Sequence, residues 1–384
     1  MKPEVREARK PRPRGWRWLL VTVVLVGTVF LVRGFAVDVF LVVEQSMWPG
    51  FRGEEDRILV QRLAQKPRRW QIWLYESDEG SGLPLVKRVV GMEDEFIDLR
   101  AGDLYVGKSP DQMQRLIRPP DVVDDLLVPL FPTPAGEGGS DRFNVLSGSV
   151  RGDSTALTLS GNVVAHLKSS LSELVRENIY DDHLGNEGGY QAGSQVVPDI
   201  RVDLRIDAIQ GGGQLQIWHD LRGHGERRAV CIGAGGLFLR VGDFDGSRIT
   251  PLAWDGAFPV ALRMETIDGR FRVVRLGGDM RPQRVLLDQR RETGVHGGYS
   301  RVRLVLDAGV VRLSSVRVAR DVYWAWPLRR AGAGAYHVGD GYFFLGDNAP
   351  VSDDSRKSGP VPRGRLVGRA WRIVWPAHRS RALP

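Results

Sequence analysis

The chain has 384 residues, of which 42% are hydrophobic, and it contains 46 glycines and 22 prolines. This composition can bury a sizeable core in one to three domains, and it favours β-structure with many turns over long helices. The net charge of +8 is concentrated in residues 1–17, which carry seven basic and two acidic residues, so it does not indicate nucleic acid as a partner. Cys231 is the only cysteine, which excludes an intrachain disulfide.

An uncharged run of 15 residues, Trp18–Val32, follows the basic N-terminal segment. Because arginines and tryptophans flank this run, it predicts a transmembrane anchor over residues 16–33. The positive-inside rule then predicts a cytoplasmic tail at residues 1–15 and a single-pass protein of the cytoplasmic (inner) membrane. In this interpretation the lipid bilayer is a partner, and the remaining chain lies on the extracytoplasmic side. A cleavable signal peptide is the alternative, since Gly34-Phe35-Ala36 offers a small-x-small site.

Residues 34–108 are predicted to form β-strands. The segments FAVDVFLVV, DRILVQRL, PLVKRVVG and EFIDLRAGDLYVGK are rich in valine and aromatic residues, as strands usually are. A turn is predicted near Ala101-Gly102-Asp103. Residues 336–376 return to a strand–loop–strand pattern, and residues 377–384 form a short tail.

Residues 109–198 are rich in proline, glycine and aspartate, and most of this segment is predicted to be irregular. One short helix is predicted in HLKSSLSELVREN, with its apolar face formed by Leu167, Leu171, Leu174 and Val175.

Residues 199–322 have a different texture, with short alternating strands separated by turns. Hairpin turns are predicted at Asp268-Gly269, which requires a positive φ, and around Asp307–Gly309. This spacing predicts an antiparallel β-sandwich of the jelly-roll or concanavalin-like type. The predicted fold class is therefore mainly β, with an N-terminal transmembrane helix and an inserted sandwich.

Two residues are candidates for a nucleophile and its base. Ser46, in EQSMWPGF, needs a neighbouring base to take its proton before its hydroxyl can attack a carbonyl. Lys87, in LVKRVV, has apolar residues on both faces of its predicted strand, so either Lys87 or Arg88 is expected to lie against hydrophobic surface. Burial lowers the pKa of a lysine, as a general base at neutral pH requires, whereas an arginine stays protonated. A serine in a turn and two solvated charges at a strand edge are the alternatives.

A third candidate segment is LGDNAPVSDDSRKSG, Leu345–Gly359, where acids, serines and an arginine share one loop. Asp353 and Asp354 adjoin, but no other carboxylates or histidines surround them at the spacing of a metal site. Neither a metal nor a cofactor is therefore predicted. Solvated loop charge is the alternative interpretation.

In order and in residue identity, these segments resemble the signature motifs of type I signal peptidase (bacterial leader peptidase), a family of membrane-anchored serine proteases with a Ser–Lys dyad. The resemblance runs through the N-terminal anchor, EQSMWPGF, DRILVQR, LVKRVVG and FFLGDNAPVSDDSR…VPRGRLVG, and covers residues 16–108 and 336–376. It implies a serine endopeptidase that removes N-terminal signal peptides from exported preproteins. In this interpretation residues 34–108 and 336–376 form the catalytic core, and residues 109–335 form a large insertion.

The resemblance also implies roles for single residues. Ser46 is the nucleophile, and Lys87 is the general base that takes its proton, passes it to the leaving amine and then activates water. Small pockets are expected to admit alanine-like side chains at positions −1 and −3 of the substrate, with Val42, Val43, Met47 and Val89 as candidate substrate-binding residues. Met47 and Pro49 are expected to shape the bend that presents Ser46. The supporting residues are Ser352, which orients the lysine; Asp354 and Arg356, which brace the loop; and Asp347 and Asn348, which hold its turn.

The sequence departs from the family pattern at two places. Some members carry a serine or threonine two residues before the nucleophile as a second oxyanion donor, whereas Glu44 stands there in this chain. Either the backbone N–H of Ser46 works with another donor, or a one-residue deletion has shifted Glu44 away. The usual Pro-Gly-Asp turn after Gly91 is replaced by Met92–Glu95, so that turn must be built differently.

The role of the insertion is open from the sequence. Trp218 or Trp254 could stack against a sugar ring, but both are also typical of core tryptophans, and a sandwich fold does not establish sugar binding. We expect a docking or rim element beside the substrate cleft. A catalytically inactive binding protein that retains a signal-peptidase shell is the alternative function, and Glu44 and the size of the insertion favour it.

Overall fold

The computed structural model describes residues 15–35, 37–62, 66–77, 82–132, 139–169, 176–221, 227–242, 248–290, 299–330 and 334–384. Three α-helices lie within these residues: α1 (Gly15–Phe35), α2 (Pro120–Leu126) and α3 (Ser355–Ser358). The first strands are β1 (Val37–Leu41), β2 (Arg57–Gln61), β3 (Ile72–Glu76), β4 (Pro84–Gly91), β5 (Phe96–Arg100), β6 (Asp103–Gly107), β7 (Gln114–Arg115), β8 (Val128–Phe131), β9 (Phe143–Gly152), β10 (Leu157–Leu167), β11 (His183–Leu184), β12 (Tyr190–Gln191) and β13 (Ile200–Gln210).

The rest of the chain, including the second part of the predicted catalytic core, consists mostly of strands. These strands are β14 (Gln214–Leu221), β15 (Arg228–Gly233), β16 (Gly236–Val241), β17 (Arg248–Pro251), β18 (Val260–Ile267), β19 (Arg270–Leu276), β20 (Pro282–Arg290), β21 (Ser300–Leu306), β22 (Val310–Arg320), β23 (Tyr336–His337), β24 (Gly341–Leu345), β25 (Val361–Pro362), β26 (Leu366–Trp375) and β27 (Arg381–Ala382). The chain is therefore mainly β, as predicted.

An eight-stranded antiparallel sheet brings the two ends of the chain together. Its order is β1-β2-β26-β3-β4-β24-β25, with β27 paired to β26, so strands from residues 341–382 lie between and beside strands from residues 37–91. One face packs a cluster that includes Met47, Phe51 and Leu74. The other face packs a cluster that includes Tyr75 and Phe344. This sheet positions the candidate site.

A 13-stranded, jelly-roll-like sheet is built from residues 128–320. It contains the long hairpins predicted beyond residue 199, and Asp268 and Gly269 both have positive φ, as expected (49° and 69°). The sheet begins earlier than predicted, because β9 and β10 form a long hairpin within the segment expected to be irregular. The predicted helix is absent at Leu167, which ends β10, while Leu171, Leu174 and Val175 lie outside the described residues.

Neither tryptophan considered as a sugar platform is freely exposed. Trp218 is fully buried, and its indole N–H donates to Gln216 Oε1 at 2.9 Å. Trp254 is half-buried and packs edge-on against Phe258, next to the main core of the large sheet. Both therefore contribute to packing.

Buried ion pairs around Arg118 lie between the large sheet and a four-stranded sheet of order β23-β5-β6-β7. The Arg118 guanidinium donates to Asp268 and Asp321, each at 2.9 Å. Asp103 and Asp199 lie beside Asp268, with one carboxylate oxygen of each of the three within 4.8 Å of the others. Burial raises the pKa of Asp103 to about 7. A charged, desolvated network thus joins the predicted insertion to β6, which carries Asp103.

The predicted transmembrane anchor at residues 16–33 is wrong. Helix α1 covers this stretch, but no helix in the described part of the chain is long and apolar enough to cross a membrane. The uncharged run of 15 residues rises about 22 Å at 1.5 Å per residue, which is short of a hydrocarbon core of about 30 Å. The single-pass location in the cytoplasmic membrane depended on this helix and is wrong as well. The predicted tail at residues 1–15 lies outside the described residues up to residue 14.

Candidate active site

Ser46 lies in a tight loop between β1 and β2. The N–H of Trp48 donates to the carbonyl of Gln45 at 3.0 Å, and the N–H of Phe51 donates to the carbonyl of Met47 at 2.9 Å. Met47 and Phe51 are buried in the apolar cluster beneath the loop, so their packing fixes the bend. Ser46 is held with only 5% of its surface exposed.

Lys87 lies on β4, and its side chain reaches Ser46. A hydrogen bond of 2.7 Å joins Lys87 Nζ to Ser46 Oγ, and Lys87 is 1% exposed. Burial lowers the pKa of Lys87, because the charged ammonium loses its hydration; Asp354, Glu44, Asp353 and Asp347 oppose this effect without cancelling it. The pair therefore has the distance and the direction of pKa shift that a lysine base needs in order to activate a serine.

The structure buries Arg88 as well as Lys87, although the sequence argument required only one of them. Arg88 Nε and Nη2 donate to the two carboxylate oxygens of Asp347 at 2.9 and 2.7 Å, and Nη2 also donates to Asp125 at 2.9 Å. The side chains of Arg88 and Asp347 are both fully buried. Although burial opposes it, the charges of Asp347 and Asp125 raise the pKa of Arg88 further. Asp347 thus ties the Leu345–Gly359 loop to β4, beside Lys87.

Asp354 holds the same loop from its other end. Its carboxylate accepts from the N–H of Gly346 at 2.9 Å and from Arg356 Nε and Nη2, both at 2.8 Å. Burial alone would raise the pKa of Asp354, but the charge and hydrogen bonds of Arg356 keep it below its ordinary value. Arg356 Nη2 also donates to the carbonyl of Ala349 at 2.7 Å. These contacts tie the two ends of the loop together.

Ser352 is buried next to the site, but no hydrogen bond joins it to Lys87 in the structure. Its Oγ has no partner at hydrogen-bond geometry among the described residues, although it lies close enough to Asp354 to favour the ionised carboxylate. The loop here lies directly against the nucleophile: a Cβ on Gly346 would come 2.6 Å from the carbonyl oxygen of Ser46 and would overlap Ser352. The orienting role of Ser352 remains a prediction.

A cleft of about 160 Å³ opens beside the pair. Val42, Val43 and Met47, three of the four candidate substrate-binding residues, line it. Val89 does not, because β4 runs from the cleft into the interior and Phe344 on β24 pairs with Val89 there. The remaining lining residues are Phe40, Leu41, Glu44, Ser46, Leu74, Leu83, Pro84, Leu85, Val86 and Lys87.

Glu44 is exposed at the rim of this cleft. Glu44 supplies the carboxylate among the residues that line the cleft. Its negative charge raises the pKa of the buried Lys87 and so opposes the effect of burial.

The structure shows how the turn at Met92–Glu95, the second departure from the family pattern, is built. In the turn at Met92–Glu95 the Glu95 carboxylate accepts from the N–H of Met92 at 2.9 Å and from Arg69 Nη2 at 2.7 and 2.8 Å, and Asp94 adopts a positive φ of 59°.

Three hydrogen bonds of the Leu345–Gly359 loop had no signal in the sequence. Asn348 donates through its backbone N–H to the carbonyl of Ser46 and through Nδ2 to the carbonyl of Gln45, both at 3.0 Å. Trp324, from the end of the predicted insertion, donates its indole N–H to the carbonyl of Gly346 at 2.9 Å. Such contacts join positions far apart in the chain, so residue patterns do not reveal them.

Two segments of the chain match the model of a known protein family. The model of the family "Signal peptidase, peptidase S26" matches residues 15–121 and 330–375. Among the curated proteins, none matches the chain.

Solved structures that align with parts of this chain have low identity to it. The exoplasmic/lumenal domain of VIP36 in its Ca²⁺/Man3GlcNAc-bound form aligns with a TM-score of 0.33 and 10% identity, over 53% of this chain and 92% of that one. The Crh5 transglycosylase in complex with NAG aligns with a TM-score of 0.29 and 10% identity, over 52% of this chain and 95% of that one. The structure of A. japonicus CB05 aligns with a TM-score of 0.30 and 14% identity, over 71% of this chain and 42% of that one. At these scores the likenesses carry no argument about function.

The family match differs from these, because its first segment contains both Ser46 and Lys87 and its second segment contacts the first through Asn348 and Asp347. Over residues 15–121 and 330–375 the chain is similar to the signal peptidase, peptidase S26 family, and this likeness indicates a serine peptidase.

Proposed function

We propose that this protein is a serine endopeptidase that removes N-terminal signal peptides from preproteins. The observation that carries the proposal is the buried pair of Ser46 Oγ and Lys87 Nζ, 2.7 Å apart, at the edge of an apolar cleft. Both residues lie in the first segment that matches the signal peptidase family, residues 15–121, and the second segment, residues 330–375, contains the loop that packs beside them.

The pair supports acyl transfer with one nucleophile and one base. Ser46 Oγ attacks the scissile carbonyl while neutral Lys87 accepts the hydroxyl proton. Collapse of the tetrahedral intermediate breaks the C–N bond, and the Lys87 ammonium gives its proton to the leaving amine. Lys87, neutral again, then takes a proton from water, whose oxygen attacks the ester carbon. As the ester C–O bond breaks, the Lys87 ammonium returns this proton to Ser46 Oγ, and the acid is released. The backbone N–H of Ser46 is a candidate donor to the oxyanion.

The size and the apolar lining of the cleft suit an alanine-like side chain of the substrate. Its volume of about 160 Å³ is well below the 300–1,000 Å³ typical of pockets for drug-sized ligands. Apolar side chains such as Val42, Val86 and Leu85 form most of the lining. An alanine-like side chain fits such an apolar space, in agreement with the small-x-small pattern that precedes signal-peptide cleavage sites.

Cleavage of a preprotein by the purified protein tests the proposal directly. We expect wild type to cut after an Ala-x-Ala site, with the product identified by mass spectrometry. Ser46→Ala should show no cleavage, and Ser314→Ala, on the exposed face of β22 in the insertion, should cleave like wild type. If folded wild type cuts none of several preproteins, the proposal is wrong, and the inactive binding protein becomes the better account.

Glu44→Gln should shift the pH dependence of cleavage. The Glu44 carboxylate favours the protonated form of Lys87 and so raises the pKa of Lys87. Removing this charge lowers the pKa of Lys87 further, and the acid limb of kcat/KM moves to lower pH, because only the neutral lysine is a base. On that limb we expect kcat/KM to rise about two- to fivefold, the effect of a single exposed charge. The measurement is kcat/KM across the pH range.

The matched control is Glu55→Gln, whose carboxylate lies near Arg52 and is not among the charges that act on Lys87. This variant should keep the wild-type pH profile. A shift of the Glu44→Gln acid limb to higher pH would contradict the assignment of Lys87 as the titrating base.

A further inference from the structure

A small hairpin of the predicted insertion lies against the loop that carries the candidate nucleophile. The hairpin is formed by β11 and β12, residues 183–191. The carbonyl of Leu184 accepts a hydrogen bond of 2.8 Å from Asn348 Nδ2. The ring of Tyr190 packs edge-on against Trp48, with ring centroids 5.9 Å apart and an interplanar angle of 63°. The insertion therefore contacts Trp48, two residues after Ser46, directly, and it reaches Gln45, the residue before Ser46, through Asn348.

Asn348 connects this hairpin to the nucleophile loop. Its amide group has two N–H donors, and both are used: one goes to Leu184 and the other to the carbonyl of Gln45, at 3.0 Å. Its backbone N–H donates to the carbonyl of Ser46, also at 3.0 Å. Asn348 is 2% exposed, so these bonds form away from bulk water. One side chain thus bridges the insertion and the residue directly before the nucleophile.

The bond to Gln45 has a consequence for the N–H of Ser46. The carbonyl of Gln45 and the N–H of Ser46 belong to the same peptide unit, which is planar, and in a trans unit the two groups point in opposite directions. Fixing the carbonyl therefore fixes the direction of the N–H. The N–H of Trp48 donates to the same carbonyl at 3.0 Å, which holds it from a second side. An oxyanion donor must be aligned before the reaction, since its effect depends on not having to reorganise.

We propose that the hairpin at residues 183–191 and Asn348 form a clamp that aligns the N–H of Ser46 as an oxyanion donor. Asn348 and Tyr190 are positioning residues in this clamp; neither touches the reacting atoms. The proposal rests on the proposed peptidase function and gives the insertion a part in it. It also explains how the proposed peptidase can act with Glu44 at the position where some family members have a serine or threonine as the second oxyanion donor. A well-aligned N–H of Ser46 then provides a larger part of the stabilisation of the oxyanion.

Kinetics of two variants test the clamp. Asn348→Leu keeps the shape and adds no charge near Lys87, but it cannot donate to either carbonyl. We expect kcat to fall about tenfold or more, towards the loss seen when an oxyanion donor is removed, with KM changed less than about threefold. The affinity for a peptide boronate, which forms a tetrahedral adduct with a serine, should fall by the same factor as kcat/KM. Tyr190→Ala should lower kcat less, and Tyr190→Phe, which keeps the ring, should restore most of the loss.

The control on the same hairpin is Glu187→Gln, an exposed residue at its tip, which should leave kcat and KM at wild-type values. If kcat stays unchanged in Asn348→Leu and Tyr190→Ala, or if only KM rises, the clamp is wrong.

Amide hydrogen exchange distinguishes a failure of the clamp from a failure of the proposed peptidase function, because the measurement does not require an active enzyme. In Tyr190→Ala, exchange in residues 45–51 should be at least about threefold faster than in wild type, since the bonds of this loop lose support. Unchanged exchange overturns the clamp, whether or not wild type cleaves preproteins. Faster exchange in a protein that cleaves nothing would keep the contact and overturn the peptidase.

Discussion

Replacing Lys87 with methionine should abolish cleavage and at the same time raise the free energy of unfolding at pH 7. Methionine has a similar length and no basic nitrogen, so Ser46 loses the group that takes its proton. General bases contribute about 10²- to 10⁴-fold to such reactions, and we expect at least this loss in kcat. Stability should change in the opposite direction, because wild type buries an amine that prefers water. A buried polar group costs roughly 1–3 kcal/mol, and removing it recovers a part of this energy.

The pH dependence of the two proteins should differ in a defined sense. Burial lowers the pKa of Lys87 in the folded state below the 10.5 of an ordinary lysine. Between these two pKa values the unfolded chain binds more protons than the folded one, so this lysine makes wild type more stable as pH rises towards 10.5. Lys87→Met lacks this contribution. Its advantage over wild type should therefore be larger at pH 7 than at pH 9.5, as measured by urea denaturation at both pH values.

Lys66→Met is the matched control. The Lys66 side chain is 61% exposed and pairs with Glu93 on the surface, so this change should leave both cleavage and stability within error of wild type. A Lys87→Met protein that still cleaves would exclude the assigned base. One that is less stable than wild type at pH 7 would show that desolvation of Lys87 does not dominate its energetics.

The sequence predicted the surroundings of Lys87 because the relevant pattern is local. Valines and a leucine alternate around Lys87 within one strand, and a strand places its neighbours on known faces. The partners of Arg88 have no such local signal. Asp347 lies 259 positions away and Asp125 lies 37 positions away, and only the folded sheet and helix α2 bring them to the same guanidinium. The sequence therefore predicts that one cation of this strand is buried, but it does not predict that Arg88 is buried as well as Lys87.

The hairpin of β9 and β10 shows why the start of the large sheet was missed. Alternation in LTLSGNVVAHL is interrupted where the pairing of β10 with β9 shifts register between Ser160 and Val164. The interruption contains Gly161, which has a positive φ of 83°. A bulge of this kind breaks the period of two that identifies a strand. The leucines after it were instead assigned to a helix, and Leu167 lies in the strand.

Replacing Arg88 with methionine should be the most destabilising single change near the site. Arg88 is fully buried between the carboxylates of Asp347 and Asp125, and its loss leaves Asp347 without its cation. Breaking a buried ion pair by removing one partner costs about 3–5 kcal/mol, much more than a surface pair. The loop that carries Asp347 and Asn348 should loosen with it, so cleavage should fall together with stability. Urea denaturation and kcat measured on the same preparation give both quantities.

The loss in Arg88→Met should grow with pH. Burial already raises the pKa of Asp347 although Arg88 opposes this, and without Arg88 the folded-state pKa rises further above the 3.8 of the unfolded chain. The folded state then binds the extra proton, so stability falls as pH increases from 3.8 through the folded-state pKa. The double variant with Asp347→Asn removes this charge and should recover part of the loss at pH 7. Arg100→Met, whose side chain is 46% exposed beside Asp98, should cost less than about 1 kcal/mol at every pH. Equal losses in Arg88→Met and Arg100→Met would show that the buried pair does not hold the site together.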